Sequence, residues 1–443
     1  MNKMRKRDRA KELAKDALIL LLTCSALWLA GRSQIFGPLG GILREENTGP
    51  ETVQTESGAR ADAARPLRMA VNLQEGAETI RYGVQYDPAA VDALFQQTAG
   101  PLVEALSSAE APERVGRRQW EEAQNSAPAV TFDFQGEVPL GVLSGWLSGA
   151  ETTLTAPVRR LTLAPWQEGV ALFYRDEGDG LYYRCPTRVV SSDQLAQTLA
   201  GLRSNGAHYA FESETYRQMD PDTLLLEDQS APAVYTASNP TTGGQSALEG
   251  LMENLGIPVS SSSFYTSGDE EVARSGYDML RLSDNGVLTY IGGEHGEASF
   301  PVQSRGGSPT LFDSVEACRQ AAAAAILPRC GEARLYLMSA RETDQGLEVL
   351  FGYSLNGAVV RAEGGCAARF LVREGNIVYF TLSLRSYTAA GETALVPPLR
   401  QAAAAMEAEG LAGGELLLTY MDGGGDRVFP SWAAVQRLGT EGG

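Results

Sequence analysis

Two histidines, His208 and His295, and five cysteines, Cys24, Cys185, Cys318, Cys330 and Cys366, bound the nucleophilic and metal chemistry this chain can perform. A serine or cysteine nucleophile needs a base held beside it. His208 lies in Gly206-Ala207-His208-Tyr209 and His295 in Gly293-Glu294-His295-Gly296, and neither stretch is a hydrolase framework. Gly243-Gly244-Gln245-Ser246-Ala247-Leu248 lacks the closing glycine of a nucleophile elbow. The cysteines are widely spaced, without a C-x-x-C, so a zinc or haem site is not expected. Cys318 and Cys330 flank a helix-like stretch; a disulfide and two free buried thiols both fit them. Asp422-Gly423-Gly424-Gly425-Asp426 lacks the spacing and terminal glutamate of a calcium loop and reads as a hairpin turn. The paired glycines at 292–293 and 306–307 have no phosphate-loop frame and no lysine. Acids are plentiful, with 52 beyond residue 16, but no pair is singled out for glycoside chemistry. The chain is therefore expected not to be an enzyme and to need no cofactor.

The elements that would position any site sort by charge. The chain has 443 residues, with 37 Lys and Arg against 55 Asp and Glu, a net charge of −18. All four lysines (Lys3, Lys6, Lys11 and Lys15) precede residue 16; residues 1–16 carry +4, and residues 33–443 carry −23. A body so acidic repels phosphate backbones, which excludes nucleic acid as a main partner. Residues 17–31, ALILLLTCSALWLAG, contain no charge. After a basic flank they read as a single transmembrane signal anchor over 17–36, lengthened by snorkelling of Lys15 and Arg32, with Trp28 at the interface. A cleaved signal peptide and a buried core helix are the competing readings. The positive-inside rule then leaves the amino terminus cytoplasmic and the bulk of the chain extracytoplasmic. Ala17, Ser25, Ala26 and Ala30 are the small residues that would allow close helix approach in a membrane.

The expected organisation is a basic tail (1–16), the anchor (17–36), a polar linker (37–65) and three α+β domains (66–190, 191–305 and 306–443). Strand patterns recur at 69–73, 79–86, 129–134, 159–163, 277–282, 286–291, 333–338, 347–353 and 367–372. Helical patterns fall at 116–125, 139–147, 246–255, 312–326 and 398–408, and one starting at Asp87-Pro88 is divided by Gly100-Pro101. Ser283-Asp284-Asn285-Gly286 and Asn356-Gly357 signal hairpins. The fold class is α+β and β-rich. Aromatic strands such as 172–174 and 379–380 are read as mostly core, with some forming a partner groove.

Several segments resemble the YycH/YycI family of regulatory proteins: Tyr82-Gly83-Val84-Gln85-Tyr86-Asp87, Arg118-Gln119-Trp120-Glu121-Glu122-Ala123, the hairpin Leu282–Tyr290, Phe351–Gly357, and the closing run from Thr419 through Phe429 to Trp432. Length and order are closer to YycH. The resemblance implies a single-pass protein with a large extracytoplasmic region. It would regulate the sensor histidine kinase of a cell-wall two-component system through protein contacts, alongside a YycI-like membrane protein. It carries no catalytic residues. The alternative functions are an extracytoplasmic envelope hydrolase and a scaffold or ligand-binding module.

Overall fold

The alternating apolar residues at 129–134 and 159–163 sit at the centre of an antiparallel sheet. The computed structural model describes residues 58–150, 152–226, 231–292, 300–304 and 306–436. Residues 61–443 form one unit and residues 1–60 another. In the larger unit, β1 (Arg68–Glu75), β2 (Glu78–Gln85), β3 (Glu113–Val115), β4 (Ala129–Pro139), β5 (Pro157–Trp166), β6 (Gly169–Arg175) and β7 (Tyr182–Pro186) build a seven-stranded sheet ordered β2-β1-β4-β5-β6-β7-β3. Strand period two sends Val130, Phe132, Leu161, Leu163 and Leu172 to one face, under α1 (Pro88–Ser108) and α3 (Leu140–Ser148). Ala129, Ala164, Ala171 and Phe173 face the other way, against Trp120 of α2 (Arg117–Asn125).

The start of α1 follows from its sequence. The Asp87 side chain accepts from Ala90 N at 3.0 Å, and Pro88 occupies the first turn, where its missing N–H costs nothing. The helix then runs through Gly100-Pro101 without a break. Pro101 cannot donate to the preceding turn. The buried stripe Val91, Leu94, Phe95, Leu102 and Leu106 holds both halves on the same sheet face, and that packing outweighs the local break.

The remainder of the chain contains α4 (Ser192–Thr198), the short ladder of β8 (His208–Tyr209) and β9 (Leu224–Leu225), and then β10 (Ala233–Ser238), α5 (Gln245–Asn254), β11 (Ser263–Ser267), β12 (Glu270–Ser275), β13 (Asp278–Ser283) and β14 (Val287–Ile291). After α6 (Leu311–Ile326) come β15 (Arg334–Thr343), β16 (Gly346–Leu355), β17 (Ala358–Ala362), β18 (Ala368–Arg373), β19 (Asn376–Ser383), β20 (Ser386–Thr393), α7 (Leu399–Ala408), β21 (Glu415–Asp422) and β22 (Arg427–Val435). Strands β10 to β22 form a 13-stranded sheet ordered β11-β12-β13-β14-β19-β18-β16-β17-β21-β22-β10-β20, with β15 paired to β16. All its pairs are antiparallel except β17 with β21. Both Asn-Gly turns form: Gly286 has φ +84°, and Asn356 and Gly357 have φ +48° and +76°, the backbone that a tight hairpin demands.

Helix α6 starts at a capping box in which the Thr310 and Asp313 side chains each take the other's backbone N–H. Its buried Val315, Cys318, Ala322 and Ala325 pack on β18 and β19. Helices α3 and α6 touch, and Trp146 Nε1 of α3 donates to Glu316 Oε2 of α6 at 2.9 Å. Arg319 pairs with the same buried carboxylate at 2.7 Å. One apolar core thus runs from Phe95 through Trp146 to Phe380, and both sheets share it.

The expected architecture of one membrane helix followed by an ectodomain needs correcting. No helix among the described residues is long and apolar enough to cross a membrane. The longest, α1, has 21 residues, but it carries Asp92, Gln96, Gln97 and Glu104 and buries only one face. The segment 17–36, on which the signal anchor, single-pass topology and extracytoplasmic placement rest, lies outside the described residues. Among the described residues the fold is mixed α+β and β-rich with no membrane-spanning helix, so the expected membrane localisation is not supported.

Candidate docking face

Two features dominate the chemistry of the fold. One is a buried ionic cluster between the sheets. Strand register puts Arg68 of β1 opposite Asp133 of β4, and Asp133 opposite Arg160 of β5, so three charged residues lie in one row on one face. Glu415, at the start of β21, is fully buried against that row. Arg68 Nε donates to Asp133 Oδ2 at 2.8 Å, and Arg159 Nη2 lies 2.6 Å from Glu415 Oε2. Arg160 pairs with both acids, and Arg68 also reaches Glu415. Tyr86, half-buried beside them, takes the backbone N–H of Leu418 on its hydroxyl at 2.9 Å.

Burial pushes the Asp133 carboxyl up, but the guanidiniums of Arg160, Arg68 and Arg159 outweigh burial and hold it well below the usual carboxylate range. Asp422, at the end of β21, behaves similarly. Burial raises it, and hydrogen bonds from Arg385, Tyr387 and Gly424 N more than reverse this. Both folded-state values lie below the unfolded one, so their stabilisation is complete above about pH 4 and is lost as pH falls further. Urea unfolding at a series of pH values should give a flat stability near pH 5–6 and a fall below about pH 4. Asp422→Asn should reduce that slope.

The cluster is structural. The void beside it, lined by Arg68, Tyr86, Gln135 and Leu418 among others, measures about 10 Å³, no more than one water needs. Asp422, considered above in a glycine-rich turn, is committed to Arg385 and Tyr387. His208 is half-buried on β8, its Nδ1 3.1 Å from Gly206 O, with its ring beside Tyr216. Cys185, Cys318 and Cys330 are buried free thiols and Cys366 is a half-buried one, so no bond joins Cys318 to Cys330. No group of three or more His, Cys, Asp or Glu among the described residues is placed to hold a metal. His295, Cys24 and the four small residues Ala17, Ser25, Ala26 and Ala30 lie outside the described residues.

The second feature is the face of the large sheet turned away from α6. Phe370, Phe380, Leu382 and Tyr290 point inward, with Tyr290 stacked on Phe380 and Phe370 tilted against it. Their alternates point outward. Register aligns Met279, Ile291, Tyr379, Leu371 and Glu348 in one row across β13, β14, β19, β18 and β16. A bulge on β19 between Ile377 and Tyr379 adds Val378 to the outer side, and Val378 O accepts from Gly292 N at 2.8 Å. Ile291 is 39% exposed, and Leu371, Val378 and Tyr379 are half-buried. From Ile291 to Glu348 this row, with Val378, lines a groove of about 1130 Å³. Its rim is charged: Arg369 donates to Glu348 at 2.7 Å, Arg373 donates to Gln345 O at 3.0–3.1 Å, and Asp344 and Glu374 complete the edge. An apolar floor with a charged rim is the layout of a protein-recognition surface. Sequence reading identified Tyr379 as a large side chain on a strand, but not its neighbours, because Leu371 and Ile291 reach it only through sheet register.

No family model and no curated protein matches the sequence. A solved structure does: YycH from Bacillus subtilis, at 8% identity and a TM-score of 0.51, covering 84% of this chain and 94% of that one. The chain has the fold of YycH. The likeness to YycH extends over both sheets, since 84% of the chain cannot be covered by either alone. At 8% identity it concerns the backbone, and the groove and the ionic cluster are read from this chain's own residues.

Proposed function

We propose that this YycH-like chain is a non-catalytic scaffold whose large-sheet groove docks an extended, amphipathic segment of a protein partner. The observation that carries this reading is the outward apolar row Ile291–Tyr379–Leu371 with its charged rim. The expected membrane-anchored mode of action, through helix packing, is replaced by this one, because no described helix can span a membrane. The hydrolase alternative is less well supported than the scaffold: in the groove the Glu348 carboxylate is held by Arg369. The partner classes that the resemblance implies, a sensor histidine kinase and a YycI-like protein, are the ones to test.

Leu371→Asp combined with Tyr379→Asp puts two charges on the groove floor. A partner seated there should bind about 30-fold more weakly or worse, the loss typical of removing a central anchor. Both side chains are half-exposed, so the fold should tolerate the change. Titration of each purified partner ectodomain against the wild-type and doubly substituted chains measures this. Undiminished binding of either partner by the substituted chain contradicts the reading for that partner.

A further inference from the structure

The end strands of the two large sheets are treated unequally. An exposed edge offers unpaired N–H and C=O groups to any second strand, and folds usually cover it, shorten it or charge it. Along β2, Asn205 N donates to Arg81 O at 3.3 Å, and the Asn205 carboxamide accepts from Gly83 N at 3.0 Å and donates to Gly83 O at 2.7 Å. At the opposite end of that sheet, β3 has only three residues, and Glu113 and Arg114 are charged. Residues 330–332 cover β20: Tyr387 N donates to Cys330 O at 3.1 Å, Glu332 N donates to Tyr387 O at 2.8 Å, and Glu332 Oε1 accepts from Ala389 N at 2.7 Å. Strand β11, the other end of the 13-stranded sheet, has none of these devices. Ser263–Ser267 contains no charge, proline or bulge, and among the described residues no hydrogen bond is made to its outer edge.

The turn fixes which groups lie on that edge. Gly268-Asp269, with φ +67° at the glycine, joins β11 to β12 as a two-residue loop, so Ser267 and Glu270 exchange both backbone bonds. Alternation turns the backbone of Tyr265 and Ser263 toward β12 and leaves the N–H and C=O of Phe264 and Thr266 facing out. The equivalent turn at Gly76, with φ +62°, leaves Arg81 and Gly83 of β2 facing out, where Asn205 bonds them. Tyr265 is 45% exposed. Residues 254–268 carry no charged side chain, although residues 33–443 carry −23. Like charge opposes the approach of two copies, and least so at an uncharged edge.

We propose that β11 pairs with the same strand of a second copy of this chain, antiparallel about a two-fold axis at Tyr265. Phe264 then exchanges backbone hydrogen bonds with the partner's Thr266, and Thr266 with the partner's Phe264. Tyr265 meets the partner's Tyr265 at a non-hydrogen-bonded position, where side chains stand closest, and the large sheet continues from one copy into the next. The edge is short, so the contact belongs to the weak, reversible class. It is independent of the groove and does not rest on the scaffold reading.

Mild oxidation of the purified full chain tests this register. Across a non-hydrogen-bonded antiparallel pair the Cα atoms lie about 4.5 Å apart, within disulfide reach, whereas Ser263 and the partner's Ser263 would stand about 13 Å apart. Tyr265→Cys should give about tenfold more disulfide-linked dimer than Ser263→Cys or Ser267→Cys alone, with the 265–265 linkage identified by peptide mapping. Mixing the Ser263→Cys and Ser267→Cys chains should restore a link, because these positions face each other across the axis. The native cysteines are common to every variant, so the wild-type chain sets the background. Thr266→Pro removes an outward N–H that the hairpin does not use, and it should abolish the Tyr265→Cys dimer while the chain stays folded. The mixed link keeps the test decisive if Thr266→Pro lowers folding. No excess dimer from Tyr265→Cys, the result expected if β11 takes a strand of another protein instead, overturns the proposal. So does equal dimer from all three single variants, no link in the mixture, or a Tyr265→Cys dimer that survives Thr266→Pro.

Discussion

Glu415→Gln should cost about 3–5 kcal/mol of stability, the penalty for removing one partner from a buried ion pair. The wild-type cluster sets Arg68, Arg159 and Arg160 against Asp133 and Glu415. Neutralising Glu415 leaves three buried guanidiniums with one carboxylate. Water cannot relieve the excess charge, because the side chains are at most 10% exposed. Glutamine keeps the shape and one acceptor, so the loss reports charge rather than a cavity. Adding Arg160→Met to Glu415→Gln restores the balance, and the double variant should be more stable than the sum of the two single changes predicts. Urea unfolding of the four proteins measures the coupling. Additive losses would mean that Arg160 and Glu415 do not interact across the sheets.

The second large effect concerns Gly136, in the irregular stretch of β4 between Asp133 and Val138. A Cβ there would come within 1.9 Å of Leu337 O on β15 and 3.0 Å of Met338 Cα. Two backbones from different sheets approach so closely that only glycine fits, and neither can yield as a side chain would. Gly136→Ala should therefore destabilise by about 3 kcal/mol or more, the upper range of overpacking. Gly250→Ala makes the matching control. It lies within α5, where a Cβ would meet only the far end of Arg329 at an ordinary 3.7 Å, and the better helix former should stabilise by about 0.5–1 kcal/mol. Opposite signs for the same chemical change, read from denaturation midpoints, would locate the junction at Gly136.

Local signals in the sequence were informative. The Asn-Gly turns, the Ala-rich helix ending at Ile326 and the short helix carrying Trp120 appear where pattern and capping place them. Each rests on neighbours within a few residues. The break expected at Gly100-Pro101 failed because sheet packing, invisible locally, holds α1 together. Strands β11 and β12 were missed because they are short and mostly polar: β11 is largely exposed, and β12 buries the adjacent Val272 and Ala273, so no apolar alternation marks either. The ionic cluster was equally hidden. Its members are up to 347 residues apart, and in sequence they are ordinary members of an acidic, arginine-containing chain. The groove combined both cases: Tyr379 stood out as an aromatic on a strand, while its row partners depended on which strands pair.

The scaffold reading requires a protein partner seated in the groove. The most direct measurement places a photo-crosslinking phenylalanine derivative at Tyr379 of the full chain in its host cell, with a second at Arg118, whose side chain is 90% exposed on α2. A discrete protein adduct is expected from position 379 that disappears with Leu371→Asp, and none matching it from position 118. No adduct from position 379, or one that persists unchanged with Leu371→Asp, would contradict the scaffold reading.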